Sequence, residues 1–233
     1  MIDQVVILLG PPGSGKGTQA RRLSADLGVP HVATGEMFRS NVEDDTELGR
    51  RARGFMESGR LVPDELVTEM LFVRVAAEDC SCGYVLDGFP RTLGQAEALD
   101  RGIEGRWGAS VASLEVPDAA LVERASGRLL CRNDGNHIYH ASFSPPASEG
   151  ICDQCGGELY RREDDVPEVV AARLGVYREQ TAPVLEHYAQ AGHLLGVNGD
   201  QAPDEVYRTL RAALEGESRE NSALEGSTTE GGE

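Results

Sequence analysis

The sequence predicts an α/β fold in which a parallel five-stranded sheet carries helices on both faces. Its 233 residues fit one compact domain with room for inserted subdomains. Short β-branched or aliphatic runs alternate with longer helical patterns, and this alternation is typical of parallel sheets. A glycine-rich loop separates the first run from the first helical pattern. That loop is the first candidate for a functional site.

The strand and helix predictions follow the spacing of apolar residues. Residues 5–9, 31–34, 84–87, 110–116 and 193–197 are predicted strands. Helical spacing covers residues 18–27, 64–77, 92–101 and 168–190. Pro183 lies inside the last of these and is expected to kink it.

The chain is strongly acidic, with 22 Lys and Arg against 39 Asp and Glu and a net charge of −17. This charge disfavours broad binding to nucleic acid or anionic lipid, so an anionic ligand needs a local basic pocket. No apolar run approaches the ~20 residues of a membrane span, and the start lacks a basic leader. We therefore expect a cytoplasmic protein without nucleic-acid or membrane partners, and its size with a self-contained site favours a monomer. The five cysteines are an odd number, which argues against a disulfide framework.

Residues 10–18, GPPGSGKGT, are predicted to bind phosphate as a P-loop. Glycines allow the backbone angles that turn N–H groups inward, and the helix that follows presents its positive end to an anion. Lys16 adds a compact charge and is the only lysine of the chain, which indicates that an arginine would not serve there. Gly17 replaces the hydroxyl residue usual after this lysine. We therefore expect Mg²⁺ to be held by phosphate oxygens and water.

Four separated motifs make the chain resemble the adenylate kinase family from residue 5 to about residue 214. They are GPPGSGKGTQ at 10–19, TGEMFR at 34–39, LDGFPRT at 86–92 and REDD…RL at 162–174. The resemblance implies reversible phosphoryl transfer from MgATP to AMP, which gives two ADP and maintains the balance of adenine nucleotides. It also implies a helical AMP-binding insertion and a small lid that closes over ATP and excludes water.

The resemblance assigns roles to residues at matching positions. Those implied in catalysis are Lys16, Asp87, Arg91, Arg128, Arg162 and Arg173. Those implied in ATP binding are Gly13, Ser14, Gly15, Lys16, Gly17, Thr18, Arg124, Arg128, Ile138, Tyr139 and Gln201. Those implied in AMP binding are Thr34, Arg39, Arg60, Leu61, Val62, Gly88, Phe89, Pro90, Arg91, Gln95, Arg162 and Arg173. At position 36 the chain has Glu where the family more often has Asp.

The implied domains divide the chain into a core with two insertions and a tail. The core comprises residues 1–33, 64–127 and 163–214, the AMP-binding insertion residues 34–63, and the lid residues 128–162. Residues 215–233 hold six glutamates and one arginine among Ser, Thr and Gly. We expect this last segment to be a disordered acidic tail.

Cysteines in the lid are spaced as in a structural zinc site. Cys131 and Asp134 form one pair with two intervening residues, and Cys152 and Cys155 form a second. Thiolates are soft ligands for Zn²⁺, and a carboxylate can fill the fourth position. The family's metal-bearing lids carry four cysteines or three and an aspartate, so these four residues are the expected ligands. His137 or His140 could replace Asp134, and a metal-free lid held by packing is the remaining alternative.

Alternative functions stay open beside this one. Another nucleoside-monophosphate kinase would act on GMP, UMP or CMP, and GTP is the alternative donor because the donor base is expected to contact main chain near Gln201. A zinc-ribbon module fits the cysteine pairs, although acidic residues flank the second pair and repel a phosphate backbone. A GTPase is excluded, because its base-reading Asn-Lys-x-Asp motif needs a second lysine.

Overall fold

The computed structural model of the chain describes residues 4–104 and 108–227. Its strands are β1 (Gln4–Leu9), β2 (His31–Ala33), β3 (Gly83–Asp87), β4 (Gly108–Glu115), β5 (Arg128–Cys131), β6 (Ile138–His140), β7 (Leu159–Tyr160) and β8 (Leu194–Asn198). Its α-helices are α1 (Lys16–Leu27), α2 (Thr34–Glu43), α3 (Glu47–Glu57), α4 (Asp64–Val75), α5 (Leu93–Ile103), α6 (Asp118–Ser126), α7 (Pro167–Val176), α8 (Ala182–Gln190) and α9 (Pro203–Ser227).

The central sheet is parallel, with five strands in the order β2-β3-β1-β4-β8. Strand β1 is buried on both faces, which explains its continuous apolar run. Val5, Ile7 and Leu9 belong to a core cluster with residues of α4, α5 and α8. Val6 and Leu8 belong to a second cluster with residues of α1 and α9. The predicted α/β fold with helices on both faces is therefore confirmed.

Two segments stand apart from the central sheet. Helices α2 and α3 follow β2, within the range predicted for a helical insertion. Strands β5, β6 and β7 form a separate antiparallel sheet in the order β6-β5-β7. The buried core of this small sheet consists of Cys131, Tyr139, Cys152 and Leu159. Such a core is too small to hold the segment together by apolar burial alone.

The long helical pattern near residue 180 is interrupted as the sequence suggests. A π-helical turn, Tyr177–Thr181, separates α7 from α8, and Pro183 lies in the first turn of α8. Proline removes one backbone donor and its ring displaces the preceding turn, which accounts for the break.

Helix α9 extends to Ser227, into the segment predicted to be disordered. Glu, Arg, Ala and Leu in residues 215–227 favour a helix, whereas the Gly, Ser and Asn of the same segment disfavour it. The prediction for residues 228–233 lies outside the described residues. Among the helices of the described part, none has the length and apolar character needed to cross a membrane.

Candidate active site

The loop that joins β1 to α1 has the backbone form expected of a phosphate site. Gly13 and Gly15 have φ values of 85° and 90°, which residues with side chains rarely adopt. A Cβ on Gly13 would lie 2.5 Å from the carbonyl oxygen of Leu121. Gly15 is the N-cap of α1. The positive end of that helix therefore lies directly after the loop.

Lys16 is held by carbonyl groups of the same loop. Its Nζ donates hydrogen bonds to Gly10 O at 2.7 Å and to Pro11 O at 2.8 Å. Burial lowers the pKa of Lys16 from 10.5 to about 7; Asp87 opposes this shift, and nearby arginines such as Arg91 add to it. The site therefore favours a ligand that brings negative charge to this ammonium group.

Asp87 places a carboxylate beside the first turn of α1. A Cβ on Gly17 would lie 3.3 Å from Asp87 Oδ2, which gives a physical reason for glycine at that position. Burial raises the pKa of Asp87, but His31 and Lys16 outweigh it and hold that pKa below its ordinary value. His31 Nε2 lies 3.6 Å from Asp87 Oδ2. The sequence did not single out His31 as a neighbour of this carboxylate.

One large cleft, called the larger cleft below, contains every residue that the resemblance implies in ATP binding. Its lining includes Gly13, Ser14, Gly15, Lys16, Gly17, Thr18, Arg124, Arg128, Ile138, Tyr139 and Gln201. Arg124 donates hydrogen bonds to Gly199 O and Asp200 Oδ1, both at 2.8 Å. These bonds fix its guanidinium against the segment that carries Gln201. The larger cleft therefore joins the phosphate loop, the small sheet of β5, β6 and β7, and the end of β8.

A smaller pocket contains most of the residues implied in AMP binding. Its lining includes Thr34, Arg39, Arg60, Leu61, Val62, Gly88, Arg91, Gln95 and Arg173. The other three lie elsewhere: Pro90 lines a cavity that shares Leu61 with this pocket, Arg162 lines the larger cleft, and Phe89 is buried in the core.

Gln95 is positioned in the smaller pocket by hydrogen bonds from two elements. Its Oε1 accepts from the Arg91 backbone N–H at 2.8 Å, and its Nε2 donates to Asp64 Oδ1 at 2.6 Å. Thr34 Oγ1 donates to Gly88 O at 2.9 Å. An amide has two donor and two acceptor positions, so Gln95 keeps one of each for a ligand.

Arginines connect the two sites. Arg39, Arg91 and Arg173 line both the smaller pocket and the larger cleft. Burial, reinforced by neighbouring arginines, lowers the pKa of Arg91 to about 10 and that of Arg162 to about 9. Arg162 Nε is buried and has no hydrogen-bond partner within the described residues. This concentration of guanidinium groups, in a chain of net charge −17, makes the junction a candidate anion site.

Two aspartates that the sequence did not assign hold Arg128 and Arg173 in place. Asp165 is fully buried and accepts hydrogen bonds from Arg128 Nε at 2.9 Å and Nη2 at 2.6 Å. Asp164 Oδ2 lies 2.9 Å from Arg173 Nη1. Both belong to the REDD motif at residues 162–165. Their position in the sequence, just after Arg162, could have identified them as partners of the arginines.

Arg21 is a further residue of the larger cleft that the sequence did not single out. Its Nη2 lies 2.6 Å from Glu36 Oε1, and its Nη1 donates to Gly17 O at 3.0 Å. Arg21 follows Gly17 by one helical turn, so both lie on one face of α1. The ion pair links α1 to α2. It gives a structural role to Glu36, the position at which the family more often has aspartate.

The small sheet brings together three thiols and one imidazole. Ligand atoms of Cys131, His137, Cys152 and Cys155 all lie within 4.8 Å of one another. Cys131 Sγ is 3.4 Å from Cys155 Sγ, and Cys152 Sγ is 3.3 Å from His137 Nδ1. Despite burial, hydrogen bonds from Tyr139 and the backbone lower the pKa of Cys152 to about 6. Soft sulfur and nitrogen donors in this number fit a tetrahedral zinc ion.

The expected fourth ligand, Asp134, is not part of this group. Its Oδ1 accepts a hydrogen bond from Asn136 N at 2.8 Å, and its Oδ2 faces His137 Nε2 at 3.5 Å. The tight turn from 134 to 137 directs the imidazole, rather than the carboxylate, toward the thiols. His140, the other alternative, has Nε2 3.1 Å from Glu123 O and accepts at Nδ1 from Ser142 N, away from the cluster.

Comparisons with known proteins agree with this geometry. The sequence model of the adenylate kinase family matches residues 8–193. A protein named adenylate kinase from Carboxydothermus hydrogenoformans is 46% identical over 212 residues, which cover 90% of this chain and 99% of that protein. Proteins of the same name from Streptomyces griseus and Caldicellulosiruptor bescii are each 48% identical, over 89% and 90% of this chain and 96% and 98% of theirs. This chain therefore belongs to the adenylate kinase family.

Proposed function

We propose that the chain transfers the terminal phosphoryl group of MgATP to AMP, reversibly, and so forms two molecules of ADP. Membership of the family supports phosphotransfer between ATP and AMP. The observation that carries the residue-level proposal is the set of arginines, Arg39, Arg91 and Arg173, that line both the larger cleft and the smaller pocket. A phosphoryl group at that junction would contact guanidinium groups from both sides.

The larger cleft is the proposed donor site. Backbone N–H groups of the phosphate loop and the Lys16 ammonium would bind the β- and γ-phosphates. Arg128, Arg162 and Arg173 would stabilise the charge that develops on the equatorial oxygens during transfer. When bound with ATP, Mg²⁺ neutralises phosphate charge, and Asp87 would orient water molecules around it.

The smaller pocket is the proposed acceptor site. Arg39 and Arg91 would hold the AMP phosphate in line with the donor, so that the acceptor oxygen approaches the γ-phosphorus. Thr34 and the free donor and acceptor of Gln95 would read the adenine edge. A nucleotide with reversed exocyclic groups would leave these buried groups unpaired, which is costly.

The small sheet is the proposed lid. It contributes Arg128, Ile138 and Tyr139 to the larger cleft, so its closure would shield the phosphates from water. Cys131, His137, Cys152 and Cys155 would hold a structural Zn²⁺, which links segments whose apolar core is small. Both nucleotide sites are built within one chain, which supports a monomer.

Acceptor assays test the proposed function directly. ADP formation is measured from ATP with AMP, GMP, UMP or CMP, with and without Mg²⁺, and with GTP as the alternative donor. We expect efficient turnover with ATP, AMP and Mg²⁺ together. A preference for another monophosphate would replace AMP as the acceptor, and no ADP with any pair would overturn the proposal.

Nucleotide binding is expected to take up a proton at Lys16. With a pKa of about 7, this group is mostly neutral at about pH 8, and the phosphates of MgATP would raise its pKa. Uptake should approach about one proton at about pH 8 and vanish near pH 5, where Lys16 is already charged. Calorimetry in buffers of different ionisation enthalpy measures it, and heats that do not depend on the buffer would contradict it.

The same shift has a consequence for stability in the absence of nucleotide. The folded pKa of about 7 lies below the unfolded value of 10.5, so the unfolded chain binds more protons between these two pH values. The contribution of Lys16 to the free energy of unfolding therefore rises as the pH increases from about 7 to 10.5. It is least favourable below about pH 7.

Metal removal is expected to unfold the lid before the central sheet. A strong chelator should lower the first melting transition and increase amide exchange in residues 128–162, because the lid lacks a sufficient apolar core. The phosphate loop should keep its protection, and added Zn²⁺ should restore the lid. An unchanged melting curve in strong chelator would contradict the proposed zinc site.

A further inference from the structure

We propose that Asp134 is the positioning residue of the lid metal site: its carboxylate holds the His137 ring so that Nδ1 faces the three cysteine thiolates. The proposal rests on the metal site proposed above. It gives the aspartate of the first pair a role beside the metal ligands rather than among them.

The two ring nitrogens of His137 face different partners. Nδ1 lies 3.3 Å from Cys152 Sγ, on the side of the thiols. Nε2 lies 3.5 Å from Asp134 Oδ2, on the opposite side. Only Nδ1 therefore points into the group of donor atoms, and Nε2 is left to donate its proton to the carboxylate after a small adjustment.

The backbone fixes this arrangement on a short turn. His137 N donates to Asp134 O at 3.0 Å, and Cys131 N donates to His137 O at 3.1 Å. Asp134 Oδ1 is anchored by the backbone N–H of Asn136. The carboxylate and the imidazole are thus oriented by the same loop that carries Cys131.

The chemistry of zinc sites gives this contact a purpose. A histidine ligand must be neutral, and a hydrogen bond at one ring nitrogen selects the tautomer whose other nitrogen binds the metal. Carboxylates commonly accept this second hydrogen bond, and they raise the basicity of the ligand. The side-chain exposures fit these roles: the proposed ligand His137 is 19% exposed, and the proposed positioning residue Asp134 is more exposed, at 42%.

The test compares metal binding by the full chain and its variants Asp134→Asn, Asp134→Ala and His137→Ala. Zn²⁺ affinity is measured by competition with a chromophoric chelator, and the ligand set by the absorption bands of the Co²⁺-substituted protein. We expect the Asp134 variants to bind Zn²⁺ about 10- to 100-fold more weakly with unchanged Co²⁺ bands. His137→Ala should alter those bands, because it removes a ligand.

Asp153→Asn is the matched control. Asp153 lies beside Cys152 in the lid, but its carboxylate accepts from Ala147 N, so its removal changes the same charge without touching His137. Its Zn²⁺ affinity should equal that of the unaltered chain, and circular dichroism verifies that each variant is folded.

Three results would overturn the proposal. Unchanged Zn²⁺ affinity in both Asp134 variants would remove the positioning role while leaving the metal site in place. Altered Co²⁺ bands in Asp134→Asn with unaltered bands in His137→Ala would make Asp134 the ligand. Failure of the unaltered chain to bind Zn²⁺ or Co²⁺ would overturn the metal site itself and the positioning role with it.

Discussion

Replacement of Lys16 by methionine is expected to lower kcat by about 10³-fold. The side chain supplies the full positive charge of the phosphate loop, and the chain has no other lysine that could replace it. Methionine keeps the apolar length of the side chain but removes the positive charge that Lys16 presents to the transferred group. Steady-state ADP formation measures the effect.

Lys16→Arg is expected to be nearly as inactive, although it keeps the charge. Nζ lies within 2.8 Å of two loop carbonyls, a space that fits an ammonium but not a planar guanidinium. Arg22→Met is the matched control, because Arg22 lies on the same helix and pairs with the exposed Asp204. Near-normal kcat in Lys16→Met would contradict the role of this residue.

Replacement of Asp165 by asparagine is expected to destabilise the protein and to impair catalysis. Asp165 is fully buried and pairs with Arg128 through two hydrogen bonds. Asparagine removes the carboxylate charge that pairs with the Arg128 guanidinium, and the loss of this charge costs about 3 kcal/mol. For a chain of this size the melting temperature should fall by about 6 to 12 °C.

The comparison for Asp165 is Asp118→Asn. Asp118 pairs with Arg178, and both side chains are more than half exposed. Exposed pairs contribute about 0 to 1 kcal/mol, so this variant should melt within a few degrees of the unaltered chain. Calorimetry and ADP assays on both variants measure the difference. Equal melting temperatures for the two variants would show that the buried pair does not stabilise the fold.

The sheet could be predicted from the sequence because its strands have the strongest local signals. Strand β1 is an uninterrupted apolar run followed by glycines, and this pattern permits few other structures. The phosphate loop was equally clear, since its glycines, its lysine and the helix after it are contiguous. Every residue implied for ATP lines the larger cleft.

The contacts between distant residues could not be predicted in this way. Spacing places Asp134 and His137 in one turn, but it does not tell which side chain points toward the thiols. The partners of Arg128 and Arg21 are 37 and 15 positions away along the chain. Such pairings depend on how the small sheet and the α2–α3 segment pack against the core, and local sequence patterns do not encode this packing.

The solitary lysine also makes the protein suitable for selective acylation. An amine with a pKa of about 7 is about half unprotonated in neutral buffer, and the unprotonated fraction is nucleophilic. Apart from any free α-amino group, amine-directed reagents have no other side chain to modify. The reagent would add a single mass to each intact site, and bound substrate would prevent this addition by shielding the loop. The modified fraction would therefore count the intact nucleotide sites in a preparation.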